Sequence, residues 1–367
     1  MLPRFFKVMF ICVLFAGAGI FQASCSRADS FQRTNPAATA FHDVLDTPAQ
    51  RSSLATSTLI NGLALVGGRV IGVGQHGVII YSDDEGKSWS QASVPVSADL
   101  TAVSFPTSKK GWAVGQDGVV LFSGDGGASW DRQLDGRLAS RIITEYYDAH
   151  PPADLDAKRL GENIKMSVES APDLPLLDVW FENETHGFAV GAFNTIFHTS
   201  DGGVNWEPWF DRTENEEGYH LYSIRSVDRD VYICGEKGMM LKLDREAGRF
   251  VKLVSPYKGT LFGITGNQRV VIAYGLRGNV LRSTDAGESW QQVDTGIPEG
   301  LIAGAMIADG RIVLVNQAGQ LFASTDEGAS FYPVTGAQPV PATFMIAMDK
   351  ETVFLASFHG IRKESLK

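Results

Sequence analysis

At 367 residues the chain is longer than one hydrophobic core usually grows, so it holds either several domains or one repeat array. Its 44% hydrophobic and 20% charged content excludes a disordered chain, and a formal charge of −10 argues against nucleic acid or an anionic membrane surface as main partner. Three cysteines, with Cys234 alone in the body of the chain, exclude a disulfide framework and a cysteine-held metal cluster.

The first element is a targeting segment. Arg4 and Lys7 precede an apolar run from Val8 to Phe21, too short for a comfortable membrane span, and small residues follow at Ala23, Ser24, Ser26 and Ala28. Residues 1–28 are therefore read as a signal peptide cleaved after Ala28, with lipid attachment at Cys25 or an uncleaved anchor as alternatives. Removing Arg4, Lys7 and Arg27 leaves 29 basic against 42 acidic residues, a net charge of −13. Export follows, to the periplasm or to a membrane-anchored position on the outer side of the inner membrane.

A repeat then organises the chain. The string Ser/Thr-x-Asp-x-Gly-x-x-aromatic occurs as Ser82-Asp84-Gly86-Trp89, Ser123-Asp125-Gly127-Trp130, Thr199-Asp201-Gly203-Trp206, Ser283-Asp285-Gly287-Trp290 and Ser324-Asp326-Gly328-Phe331. A degenerate copy runs from Leu243 to Phe250 around Asp244. Successive aspartates are 41, 76, 43, 41 and 41 residues apart, one unit carrying an insertion. β-Branched and aromatic runs bounded by glycine turns accompany every box, and a seventh such run, Val353 to Arg362, closes the series. This grammar predicts an all-β, seven-bladed propeller of four-stranded antiparallel blades over residues 55–367. No box follows the seventh run, so residues 29–54, and Phe41 to Leu54 in particular, are expected to supply the strand that closes blade seven.

Two insertions interrupt the pattern, at 131–177 and 211–220. The first holds SRIITEYY (140–147), the Pro151-Pro152 break and a stretch with Leu155, Leu160, Ile164 and Val168 at steps of five, four and four, one stripe of an amphipathic helix. Asp154 and Asp156 favour its start, and Pro172 its end. The second, DRTENEEGYH, is acidic. Both fall on the face opposite the boxes and are expected to form a lip that meets a partner.

The box residues suit a turn. Asp and Ser/Thr accept hydrogen bonds from the turn's own amides, glycine takes positive φ, and the aromatic packs back under the next blade. Five copies around a ring argue against catalysis. Candidate contacts lie at the turns between second and third strands instead: His76, Asp117, Phe193, Lys237, Arg277, Ala318 and His359 stand at equivalent positions, with Leu155, Leu160 and Ile164 as partner-facing residues of the insertion.

The pattern is the Asp-box, or BNR, repeat. The unit length and the phrases GWAVGQDGVVLFSGDGGASW and GFAVGAFNTIFHTSDGGVNW resemble the photosystem II stability/assembly factor-like BNR propellers, which occur also in bacteria that lack photosynthesis. The resemblance covers about residues 55 to 363. It implies a scaffold or chaperone-like factor that binds a membrane-protein or envelope complex and catalyses nothing; a monomer with no cofactor and no small-molecule substrate is expected. Photosynthetic members carry an arginine-rich patch on one face, whereas Arg277 is the only arginine among the turn positions named above. A BNR sialidase would need an arginine trio and an Arg-Ile-Pro signature, and no Arg-Ile-Pro occurs. A two-carboxylate glycosidase drawing on Asp117, Glu184 or Glu236, or a carbohydrate-binding module with Phe193 and Trp209 exposed, is the alternative.

Overall fold

The computed structural model describes residues 42–151, 157–170, 174–335 and 339–367. From Ile60 onward the strands form seven antiparallel sheets, six of four strands and a last one of three, each in chain order from the centre outward. The innermost strands are Ile60–Val66, Leu100–Ser104, Leu176–Phe181, Leu221–Val227, Leu261–Gly266, Leu301–Met306 and Ala342–Ala347. The chain is a seven-bladed propeller, as the repeat predicts.

Its core is a ring of interfaces rather than one centre. Each of the seven apolar clusters joins one pair of successive blades: Trp112 and Leu134 of blade two meet Phe181 and Trp206 of blade three, for example. Trp112 and Phe181 stack with centroids 3.5 Å apart. The box aromatics fill these same seams, though toward the preceding blade, not the next one as expected. Trp206 sits with Trp112, Trp290 with Tyr232 of blade four, and Trp89 beside Phe354 of blade seven. The third-to-fourth-strand hairpin folds inward against the blade already behind it, which sets that direction.

The boxes themselves are hydrogen-bonded turns. In blade one the Ser82 hydroxyl donates to Asp84 Oδ1 at 2.8 Å and accepts from Gly86 N, while Asp84 accepts from Ser88 N at 2.8 Å and Ser88 Oγ at 2.6 Å. The same set recurs at Asp125, Asp285 and Asp326, and at Asp201 with Asn205 Nδ2 donating in place of the serine hydroxyl. The donors stabilise the ionised carboxylate. Ser88 hydroxyl and amide hold Asp84 down at about 2, and Ser289 and Ser330 do the same for Asp285 and Asp326. In the degenerate copy Asp244 accepts from Glu246 N and Ala247 N, and Phe250 is fully buried.

Ring closure departs from the expectation. Blade seven keeps three strands among the described residues, and residues 42–54 contain no strand. They lie along the blade one–two link: Ser97 N donates to Val44 O at 2.8 Å and Ala49 N to Val94 O at 3.1 Å. Arg132 Nη1 holds Leu45 O, and Arg137 clamps Asp43 and Asp46. Those bonds draw the segment away from blade seven, whose outer strand presents Arg362, Lys363 and Glu364, charges that blunt an edge. First and last blades instead meet through side chains, Phe354 and Ala356 against Ile60, Leu63 and Val70, with Thr343 Oγ1 donating to Ile60 O.

The first insertion begins later than expected, because Asp131–Leu134 is the outer strand of blade two. Helix α1 (Gly136–Ala149) follows at once, capped by Asp135, which accepts from Leu138 N at 2.9 Å. Helix α2 (Ala157–Ser170) carries Ile164 and Val168 of the expected stripe on one face, but Ile164 is buried against α1 and the propeller, with Ile143 and Tyr147 in the same cluster. Ile164 is therefore spent on packing and does not present itself to a partner. Leu155, Asp154, Asp156, Pro172 and the side chain of Leu160 lie outside the described residues, as do residues 1–41 with the signal segment and Cys25. Tyr147 Oη donates to Asp211 Oδ1 at 2.7 Å and Arg212 Nη2 to Tyr146 Oη at 3.1 Å, so the second insertion is bolted to the first.

Candidate functional site: the mouth opposite the Asp-boxes

Every inner strand opens in the same way. An apolar residue anchors it in the seam, and the next residue is bulged out of register against the second strand. A bulge breaks the alternation of faces and re-aims one side chain. Here it delivers seven of them, Asn61, Thr101, Leu177, Tyr222, Phe262, Ile302 and Thr343, to the rim of the central channel. The rim lies on the face of the blade links, opposite the boxes.

This ring is not symmetric. Its polar members are consumed structurally, each tying its blade to the next: Asn61 Nδ2 donates to Leu100 O at 2.8 Å, Thr101 Oγ1 to Leu176 O at 2.7 Å, and Thr343 Oγ1 to Ile60 O. Blades three to six contribute Leu177, Tyr222, Phe262 and Ile302, all half-buried and partly open to the channel. Tyr222 and Phe262 stand edge to face at 5.7 Å. From Tyr222 the aromatic line runs outward to His220 at 6.2 Å and Phe193 at 4.6 Å beyond it. His220 Nδ1 is 3.2 Å from Glu236 Oε2 but not along a hydrogen-bond direction, while its amide donates to the same oxygen.

The turn residues expected around this mouth stand farther out, and none of them lines the channel. His76, Asp117, Phe193, Lys237 and Arg277 share one device, a tight turn with φ between 54° and 58° followed by glycine or, after Phe193, by Asn194. The turn presses on the next link: a Cβ on Gly77 would come within 2.1 Å of Val96 O. His76, Lys237, Arg277 and His359 are exposed, and Phe193 connects to the mouth through His220. Sequence reading missed the bulged ring. Its trace is an anchor, a variable residue and then often a small one, as in Leu221-Tyr222-Ser223 and Leu261-Phe262-Gly263.

The glycosidase and carbohydrate markers fare differently. Trp209 is buried against Phe188 and His198, not exposed as a sugar platform would be. Glu184 lies beside the Gly202 box turn and pairs with Lys110 at 2.9 Å, on the face away from Asp117 and Glu236. Tyr147 is buried and, through desolvation and Asp211, raised far above the usual phenol range, the reverse of an activated nucleophile.

Channel, bulged mouth and box turns define a seven-bladed Asp-box propeller. Within that class, the family model described as photosynthesis system II assembly factor YCF48 matches residues 60–142 and 157–335, and the chain belongs to that family. The photosystem II assembly lipoprotein Ycf48 of Synechococcus sp. (strain CC9902) is 27% identical over 163 residues, which cover 43% of this chain and 48% of that protein. The Ycf48 of Synechococcus sp. (strain RCC307) reaches 43% identity over 60 residues, 16% of this chain and 17% of that one. The chain spans about half the length of the first of these curated relatives. Among solved structures, YCF48 bound to D1 peptide aligns with a TM-score of 0.62 at 16% identity, covering 88% of this chain and 99% of that one. YCF48 from Cyanidioschyzon merolae gives 0.59 at 16%, covering 86% and 98%. These likenesses establish the fold.

Proposed function

We propose that this chain is an exported, non-catalytic assembly or stability factor that binds a segment of a membrane-protein partner at the mouth opposite the Asp-boxes. The observation that carries the reading is the bulged ring, whose apolar half, from Leu177 to Ile302, faces the channel while its polar half is tied up between blades. Half-buried aromatics beside a concave opening are the usual anchors of a binding surface. Two names support the partner class: a solved relative is titled as bound to D1 peptide, and the curated relatives are called assembly lipoproteins. The lipoprotein name and the basic, apolar and small-residue order of the N-terminus support export to a membrane-associated position.

The test is crosslinking capture from membranes with the wild type and with Tyr222→Asp/Phe262→Asp. Captured membrane protein should fall at least tenfold in the variant while its urea midpoint stays near that of the wild type. Equal capture would remove the mouth from the binding surface. Point variants serve better than deleting residues 139–172, since Ile143 and Tyr147 belong to the core.

A further inference from the structure

Below the mouth lies a waist, the level of the channel whose lining two cavities share. A cavity of about 360 Å³ opens from the linker-face rim, and a second of about 400 Å³ lies beyond it toward the boxes. Arg225 and Phe344 line both. Arg225 belongs to blade four and reaches across the lumen to within 6.0 Å of the Phe344 ring of blade seven. It lies three residues beyond Tyr222 on its strand, roughly 10 Å inward.

Among the residues lining the two chambers, Arg225 is the only cation and Asp178 the only carboxylate. Asp178 is 4% exposed and held from several sides: Oδ2 accepts from Ile224 N at 2.8 Å and from Arg225 Nη1 at 2.5 Å, and Oδ1 from Val179 N at 2.9 Å. Arg225 Nη1 also donates to Ile224 O at 2.7 Å. The pair is thus made through one nitrogen. The Nε–Nη2 edge, the fork that fits a carboxylate with two parallel bonds, has no protein acceptor among the described residues, and 29% of the side chain stays accessible. Burial opposes the charge of Arg225, and the adjacent Asp178 carboxylate favours it. A guanidinium edge kept open at the bottom of a partly apolar well costs stability unless an acceptor meets it.

We propose that the waist is a carboxylate-binding site, where the Nε–Nη2 edge of Arg225 receives the carboxylate of a ligand whose apolar body lies among Tyr222, Phe262 and Ile302. A cavity of this size holds a small acid or the last residues of an extended chain. The inference uses the mouth assigned above but needs no membrane protein, so its failure leaves the capture experiment untouched.

Calorimetric titration of the full chain tests it, with 3-phenylpropionate against 3-phenylpropanamide as probes. The acid should bind at least tenfold more tightly than the amide. Because Arg225→Gln alone would strand Asp178, the informative variant is R225Q/D178N, which keeps the channel neutral and should bind acid and amide alike. Equal affinities in the wild type, no saturable binding of the acid, or an acid preference that survives in R225Q/D178N would each overturn the proposal. Gly-Gly-Phe with a free or amidated terminus separates the sources. If the free tripeptide binds more tightly than 3-phenylpropionate, the natural ligand is a chain end, and if more weakly, a small acid.

Discussion

The Asp-box turns and the bulged mouth are both products of the repeat, yet they use repetition in opposite ways. At the boxes the side chains recur and their hydrogen bonds are closed within the turn, so nothing is left over for a partner. At the mouth the backbone recurs and the side chains differ, from Asn61 and Thr101 to Tyr222 and Phe262. Recurrent chemistry in five of the seven units maintains the ring, whereas a fixed bulge with variable occupants offers a surface that can be specific.

The contrast breaks first at the seat of a box. Phe354 is 1% exposed and lies beneath Gly86 in the seam that joins blade seven to blade one. Phe354→Ala should cost about 3–5 kcal/mol in urea unfolding, because the seam cannot collapse around the void. A next step removes one hydroxyl: Ser123→Ala leaves Gly127 N without its acceptor and should cost about 1–3 kcal/mol, with capture of partner unchanged. At the mouth the order reverses. Tyr222→Ser should cost about 1 kcal/mol or less, since the ring is only half covered, while capture falls. The smallest effect is acid sensitivity. Asp326 is held at about 2 against an ordinary 3.8, so the folded state binds fewer protons and its contribution is whole above the ordinary value. It is lost as pH falls from about 4 toward 2, and Asp326→Asn should make the fall of the urea midpoint shallower over that window alone, Asp84 and Asp285 supplying the rest. An unchanged slope there would mean that the box carboxylate does not stabilise its turn.

The fold was legible because its signals are local. Five boxes at a period near 41 residues, each beside strand runs bounded by glycine, determine blade count and face without any long-range information. The mouth was illegible for the complementary reason: a bulge interrupts the period of two on which strand reading depends, so Tyr222 and Phe262 look like ordinary strand residues. The segment from residue 42 to 54 was misplaced because its partners, Arg132 and Arg137, are distant in sequence and sit at the end of blade two and the start of α1. Helix α1 could have been seen, since Asp135 caps it and Ala139, Ile143 and Tyr147 recur at steps of four. Ile164 and Val168 do share one face of a helix, as their spacing predicts, but periodicity cannot say whether that face meets a stranger or its own neighbour.

A ring of seven like units would offer any visitor seven indistinguishable poses, related by one-seventh turns. The split of the rim into a stapled polar arc and an open aromatic arc removes that degeneracy. A guest that bound at Tyr222 and Phe262, as proposed above, would settle in one rotational setting, with the bolted helices on the same side of it. On the proposed reading the propeller would act as a keyed socket, fixing the direction from which a bound chain leaves as well as the fact that it is held.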